Sequence, residues 1–139
     1  MSGTRTWSLD AIWAVLPTGI LTVGILHANN LRDAQTDTQA GIRTLASVLG
    51  QKWSVWLYQF EMLAPFAILL ATVWLGILPV TVLLTLLIAM AVMTLCKQAL
   101  RFDGVNTASI ATLDASTAKT QLMFSLLMVA GLAAGHWLV

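Results

Sequence analysis

The chain has 139 residues, of which 58% are hydrophobic and only 9% charged, and its mean hydropathy is +0.84. A water-soluble domain carries roughly 25% charged residues, so this composition excludes a soluble globular protein and makes the lipid bilayer the first partner. The formal net charge of +1, with no basic tract, leaves no nucleic-acid partner to consider.

Residues 1–10 lack a compact apolar core followed by a small-residue cleavage site, so no cleaved signal peptide is expected. The first apolar run, 11–28, is just long enough to cross a bilayer. Pro17 and Gly19 permit a kink in it, and its small residues permit close helix packing. A polar stretch over 29–52 follows and is read as a loop, closing on Gln51-Lys52-Trp53, a cluster suited to the headgroup region. A second run covers 55–78, with Tyr58, Gln59 and Glu61 in its first turns, and Gly76 and Pro79 mark a tight turn. The third run, 80–96, is almost uniformly aliphatic and contains the lone cysteine, Cys96, assigned to packing. A polar connection from Lys97 to Lys119 holds Arg101, Asp103 and Asp114; the fourth run, 121–139, ends the chain. Its Gly131 and Gly135 form a small-xxx-small pair, usually a packing device and weak evidence for a dimer.

The fold class expected is therefore all-α, a multi-pass transmembrane helical bundle of about four spans. Four spans place Arg32, Arg43, Lys52, Lys97, Arg101 and Lys119 on one side and Arg5 on the other. The positive-inside rule puts the first group in the cytoplasm, in an inner cell membrane if the source is bacterial.

Polar chemistry is concentrated in one stretch, Asn29-Asn30-Leu31-Arg32-Asp33-Ala34-Gln35-Thr36-Asp37, continuing through Gly41 and Arg43. If that stretch is helical, Asp33 and Asp37 share a face about one turn apart. Two hard oxygen ligands so spaced suit a Mg2+ ion that also holds a diphosphate. Arg32 and Arg43 flank the pair and are placed to contact phosphate oxygens. Asn29 and Asn30 are candidates to order metal or phosphate, although asparagine pairs also cap helices. Glu61 is an ionisable group in an apolar span, a functional hint that, with Tyr58, is read as acceptor handling; the plainer alternative is a shallow position in reach of water. His27 is read as a buried, hydrogen-bonded histidine, Lys52 as an interface anchor, and Lys97, Arg101, Asp103 and Lys119 as a solvated face.

The pattern Asn29-Asn30-x-Arg32-Asp33-x-x-x-Asp37-x-x-x-Gly41-x-x-Thr44-Leu45-Ala46, ending in Leu49-Gly50, resembles the second aspartate-rich motif of the UbiA superfamily of intramembrane prenyltransferases. Within it, the 1,4-dihydroxy-2-naphthoate polyprenyltransferases of the menaquinone branch are most similar. Leu16-Pro17-x-Gly19-Ile20-Leu21, Ile25-Leu26-His27-x-Asn29-Asn30 and Thr117-Ala118-Lys119 also resemble that branch, so the likeness runs from roughly Leu9 to Gly131. Ile42 stands where many bacterial members have lysine, a change the animal branch shares.

The resemblance implies half of a UbiA-type fold of about nine helices, with Asp33 and Asp37 as metal ligands and catalytic residues. It implies a Mg2+-dependent transfer of a polyprenyl group from its diphosphate to 1,4-dihydroxy-2-naphthoate, with loss of the acceptor's carboxyl group. The family's first motif, Asn-Asp-x-x-Asp-x-x-x-Asp, has no counterpart here, since Asp10 is the sole acid before Asp33. The expectation is therefore a C-terminal half that is inactive alone and partnered by a missing N-terminal half. A non-catalytic half-protein or subunit is the alternative, and an unrelated membrane scaffold a more distant one.

Overall fold

The structure is a computed structural model; it describes the backbone of residues 9–138 and the side chains of residues 11–137. Arg5 and the start of the chain, where no cleaved signal peptide is expected, lie outside the described residues. The described residues form helices and turns, and four helical segments are long and apolar enough to cross a membrane. The expected all-α, four-span bundle is what the chain forms.

Helix α1 spans Leu9–Gln39, 31 residues. At ~1.5 Å per residue it is ~46 Å long, against a hydrocarbon core of ~30 Å, so one end has to reach the interface. That end carries the aspartates. The loop expected over 29–52 is thus largely absent, because the helix runs through the motif. Leu31, Arg32, Ala34 and Gln35 are good helix formers, and the Thr36 and Thr38 hydroxyls donate to the carbonyls of Asp33 and Ala34 at 2.8 and 2.7 Å. The helix stops at Gly41, whose φ of +74° is a conformation glycine adopts without penalty. There Ile42 N donates to Asp37 O at 2.8 Å and Gly41 N to Thr38 O at 3.1 Å, the paired bonds of a Schellman stop.

A short helix, α2 (Leu45–Leu49), is capped by Thr44 and Ser47, each accepting from the other's backbone N–H. Gly50, at φ +76°, breaks it from α3 (Gln51–Trp74), which starts before the expected Val55 and stops before Leu78. Ile77 and Leu78 both fold back to donate to Thr72 O. The third span is a 3₁₀ segment, Val80–Ile88, continuing as α4 (Ala89–Leu100) past the expected end at Cys96. With ~2.0 Å rise in the first part and ~1.5 Å in the second, it reaches ~36 Å, enough to cross. Helix α5 runs Leu113–Leu138, starting well before Gln121. Its first turns are polar by composition, yet Leu113, Thr117, Thr120, Phe124 and Met128 form one buried stripe at helical spacing.

Helix α1 packs between α3 and α5, α5 lies along the 3₁₀ segment, and α4 packs against α3. The core includes Leu21, Leu31, Tyr58, Met62 and Phe124, all at most 2% exposed. Phe66 meets Phe124 edge to face at 5.6 Å. Gly131 and Gly135 pack within the chain: a Cβ on Gly131 would meet Thr81 O at 2.6 Å, and one on Gly135 would meet Pro79 at 2.5 Å. Exposed Trp53 and Trp56 sit at the α3 start, while Trp74 and Trp137 end their helices at the other end of the bundle. They have the arrangement of two interfacial belts.

Candidate functional site

The end of α1 and the 101–112 connection meet at one end of the bundle. Three glutamines tie that connection down: Gln35 Nε2 donates to Gly104 O at 3.2 Å, Gln51 Nε2 to Phe102 O at 2.6 Å, and Gln98 Nε2 to Ser109 O at 3.0 Å. Within it, the Asp103 carboxylate accepts from the backbone N–H groups of Val105 and Asn106, at 2.9 and 2.8 Å. Those two bonds, that to Asn106 first, hold its pKa below the usual aspartate value.

Asp33 and Asp37 occupy the last two turns of α1, and both are partly exposed. The C-terminal end of a helix carries partial negative charge, and no basic residue lies in the last turn of α1. Two carboxylates there build a potential that attracts a cation.

Arg32 lies two turns before that end, and its contacts organise the site. Its Nε donates to Asp33 Oδ1 at 2.9 Å and its Nη2 to Asp33 Oδ2 at 3.1 Å, a two-pronged grip on one carboxylate. Nη2 also donates to Asn29 Oδ1 at 2.6 Å, and Nη1 donates to Asp114 Oδ2 on α5. Asp114, which composition assigns to a polar connection, thus joins the motif from a distant helix. The signal that could have found it is its position one turn before Thr117-Ala118-Lys119, on a helix whose buried stripe starts at Leu113.

Beside this cluster an open cleft of about 400 Å³ runs between α1 and α5. Asn29 and Asp114 form its polar rim; Thr22, Ile25, Leu26 and Ala118 line the rest. A charged head and a greasy tail would find matching surfaces there.

The remaining predicted residues are distributed differently. Asn30 is partly buried on α1, and Arg43 is exposed in the turn beyond Gly41. Tyr58 is fully buried; its hydroxyl lies 2.7 Å from Thr117 Oγ1, which in turn donates to Leu113 O, so Tyr58 acts as the donor between α3 and α5. Glu61 is buried among the helices and not in reach of water at the bundle surface: it is 5% exposed, and its Oε2 lies 2.9 Å from His27 Nδ1. His27 is 2% exposed, as a buried hydrogen-bonded histidine should be, and its Nε2 has no partner among the described residues. In the described structure both Tyr58 and Glu61 face neighbouring helices. Lys52, Lys97, Arg101 and Lys119 are exposed.

The UbiA prenyltransferase family model matches residues 2–113. The chain belongs to the UbiA prenyltransferase family. UbiA prenyltransferase domain-containing protein 1 of Gallus gallus is 39% identical over 61 residues, covering 44% of this chain and 18% of that protein. Its Drosophila melanogaster homolog is 38% identical over 68 residues, 49% of this chain and 19% of the relative. The Homo sapiens protein is 40% identical over 53 residues, 38% and 16% of the two chains. The chain matches less than a fifth of the length of these relatives. No solved structure matches it. As a UbiA-family chain with four apolar spanning helices, it is a multi-pass integral membrane protein.

Does the donor set fit the magnesium ion expected from the motif? Among the described residues, no three His, Cys, Asp or Glu side chains gather closely enough to cage a metal. Magnesium rarely needs such a cage; it takes one or two carboxylates and completes its shell with water and substrate phosphate oxygens. Asp33 and Asp37, two carboxylates one helical turn apart, with Asn29 joined to Asp33 through Arg32, fit that habit.

Proposed function

We propose that this end of the bundle is the diphosphate-binding part of an intramembrane prenyltransferase. The observation that carries the reading is the placement of Asp33 and Asp37 at the negative end of α1, where Arg32 links Asp33 to Asn29 and Asp114, which line the mostly apolar α1–α5 cleft. The substrates are a polyprenyl diphosphate and 1,4-dihydroxy-2-naphthoate, as in menaquinone formation. That acceptor rests on the resemblance of the Asn29–Gly50 motif to the menaquinone branch.

Asp33 and Asp37 hold the magnesium-bound diphosphate, Asn29 and Asn30 orient it, and Arg32 and Arg43 supply hydrogen bonds to its oxygens. A bound magnesium ion neutralises charge on the leaving diphosphate. The side chains of Ile25, Leu26 and Ala118 hold the first isoprene units and keep water from the electron-poor carbon. The C–O bond to diphosphate breaks with its electron pair on oxygen, and the aromatic ring carbon forms the new C–C bond as its carboxylate leaves as carbon dioxide. Tyr58 and Glu61, buried between helices, serve this reaction by fixing the helices that line the site. The site faces the cytoplasm, on the cation count of the two polar connections.

One observation favours a second reading, that the chain acts as a subunit completed by another half: the α1–α5 cleft is open along its side. A wall for it must then come from elsewhere.

The test is product formation. The 139-residue chain in lipid nanodiscs, with magnesium, geranylgeranyl diphosphate and dihydroxynaphthoate, is expected to give no prenylated product alone. Co-production with a UbiA N-terminal half bearing its own aspartate motif should give product, and Asp33→Ala should abolish it. Product that survives Asp33→Ala would remove these aspartates from the chemistry.

A further inference from the structure

We propose that Asp114 is a positioning residue that keeps hold of Arg32 when Asp33 releases it to take a metal-bound diphosphate. This deepens the reading of Asp33 and Asp37 given above and rests on it.

In this structure both Asp33 oxygens are engaged by Arg32, at 2.9 and 3.1 Å. A guanidinium keeps its charge at every pH a protein survives, so the grip opens only by competition. Opening it would be costly if Arg32 were left without an anionic partner. It has one already. Nη1 sits on Asp114 Oδ2, and Nη2 also donates to Asn29 Oδ1 at 2.6 Å.

Those two acceptors define where Arg32 stays. Asn29 and Asp114 form the polar rim of the α1–α5 cleft. Held there, Arg32 has the Nε–H and Nη2–H released by Asp33 free for a diphosphate oxygen while the Asp33 carboxylate turns to the cation. The side chains of Arg32, Asp33 and Asp114 are 30%, 35% and 22% exposed, which leaves room for that small rotation. Asp114 belongs to α5, whose first turn is fixed by buried Leu113 and by the Tyr58–Thr117 hydrogen bond. The anchor is therefore independent of the helix that carries the aspartates.

A plain staple between α1 and α5 would behave differently. Removing a carboxylate from the rim makes it less repulsive to an anion, so a merely structural or electrostatic Asp114 predicts unchanged or tighter binding of magnesium pyrophosphate, itself an anion. The hand-over predicts weaker binding, because Arg32 is then left with Asp33 as its one carboxylate partner and competes harder for it.

The experiment titrates magnesium pyrophosphate into the full 139-residue chain in nanodiscs, read by phosphorus NMR, with helicity checked for every variant. Asp114→Asn should weaken binding about tenfold, the loss of one charge-assisted hydrogen bond, and Asp114→Glu should restore most of it. Binding by Asp114→Asn that equals or exceeds the parent overturns the proposal, as does failure of Asp114→Glu to restore it. If Asp114→Asn does not fold, Arg32→Lys decides, since lysine has no fork to bridge both carboxylates; unchanged binding by that variant overturns the hand-over. A parent chain that does not bind magnesium pyrophosphate overturns the diphosphate reading and this proposal together. A parent that binds and is weakened by Asp33→Asn but not by Asp114→Asn overturns the hand-over alone.

Discussion

Arg32 and Glu61 show how differently two ionisable side chains can be used in one bundle. Arg32 stands at the polar end with four acceptor contacts, whereas Glu61 is sealed between α1 and α3 with His27. Breaking a buried hydrogen bond leaves its partner unsatisfied, which costs about 1–3 kcal/mol. Glu61→Ala and His27→Ala are each expected to lower stability by that order, and the double variant by clearly less than the sum. Additive losses in a reversible unfolding assay would show that the pair is not coupled. Asp103 gives the pH prediction. Its pKa is depressed by the Asn106 and Val105 N–H groups, so its contribution is present above the ordinary aspartate pKa and is lost as pH falls through its lower folded value. The amide resonances of Val105 and Asn106 should therefore hold steady down to the ordinary carboxylate range and move only below it. Asp103→Asn should remove that titration; a shift near neutral pH in the parent would refute the assignment.

At the scale of elements, glycines separate packing from permissiveness. On α5, a Cβ at Gly131 would come within 2.6 Å of Thr81 O and 2.7 Å of Val82 Cα, backbone atoms that cannot step aside cheaply. Gly131→Ala should destabilise the bundle by about 1–3 kcal/mol, the usual range for overpacking. Gly19 has nothing within 4 Å of its Cβ position, so Gly19→Ala should be neutral or stabilise by up to ~1 kcal/mol through helix propensity. Equal effects at the two positions would contradict the placement of α5 against the 3₁₀ segment. The small-xxx-small pair shows a limit of pattern reading. Its spacing says that something packs closely, but whether the partner is a second chain or this chain's own third span depends on which helix lies alongside.

For the whole molecule, the four-span topology puts the 40–50 and 101–112 connections at one end and the turn at Gly76 at the other. Thr38→Cys and Asn106→Cys should react with a membrane-impermeant maleimide from the same side, and Gly76→Cys only from the opposite side. Cys96 is buried and should add little background. Labelling of positions 38 and 76 from one side would overturn the topology.

Much of this was written in the chain itself. Long runs with almost no charge must find lipid, because no hydrogen-bonded fold in water could hide them, and that determined class and span number. The Asn29–Gly50 motif carried the family, since its residue types and spacing are local. Element ends were less legible. Polar residues at 29–39 and 113–120 read as loop by hydropathy, although helix propensity and a buried stripe carry α1 and α5 through them. What only tertiary structure decided is which distant groups meet: Asp114 with Arg32, Glu61 with His27, and Gly131 with Thr81. Composition and periodicity describe one helix at a time, whereas these contacts depend on the order and rotation of helices in the bundle, set by packing across the whole chain.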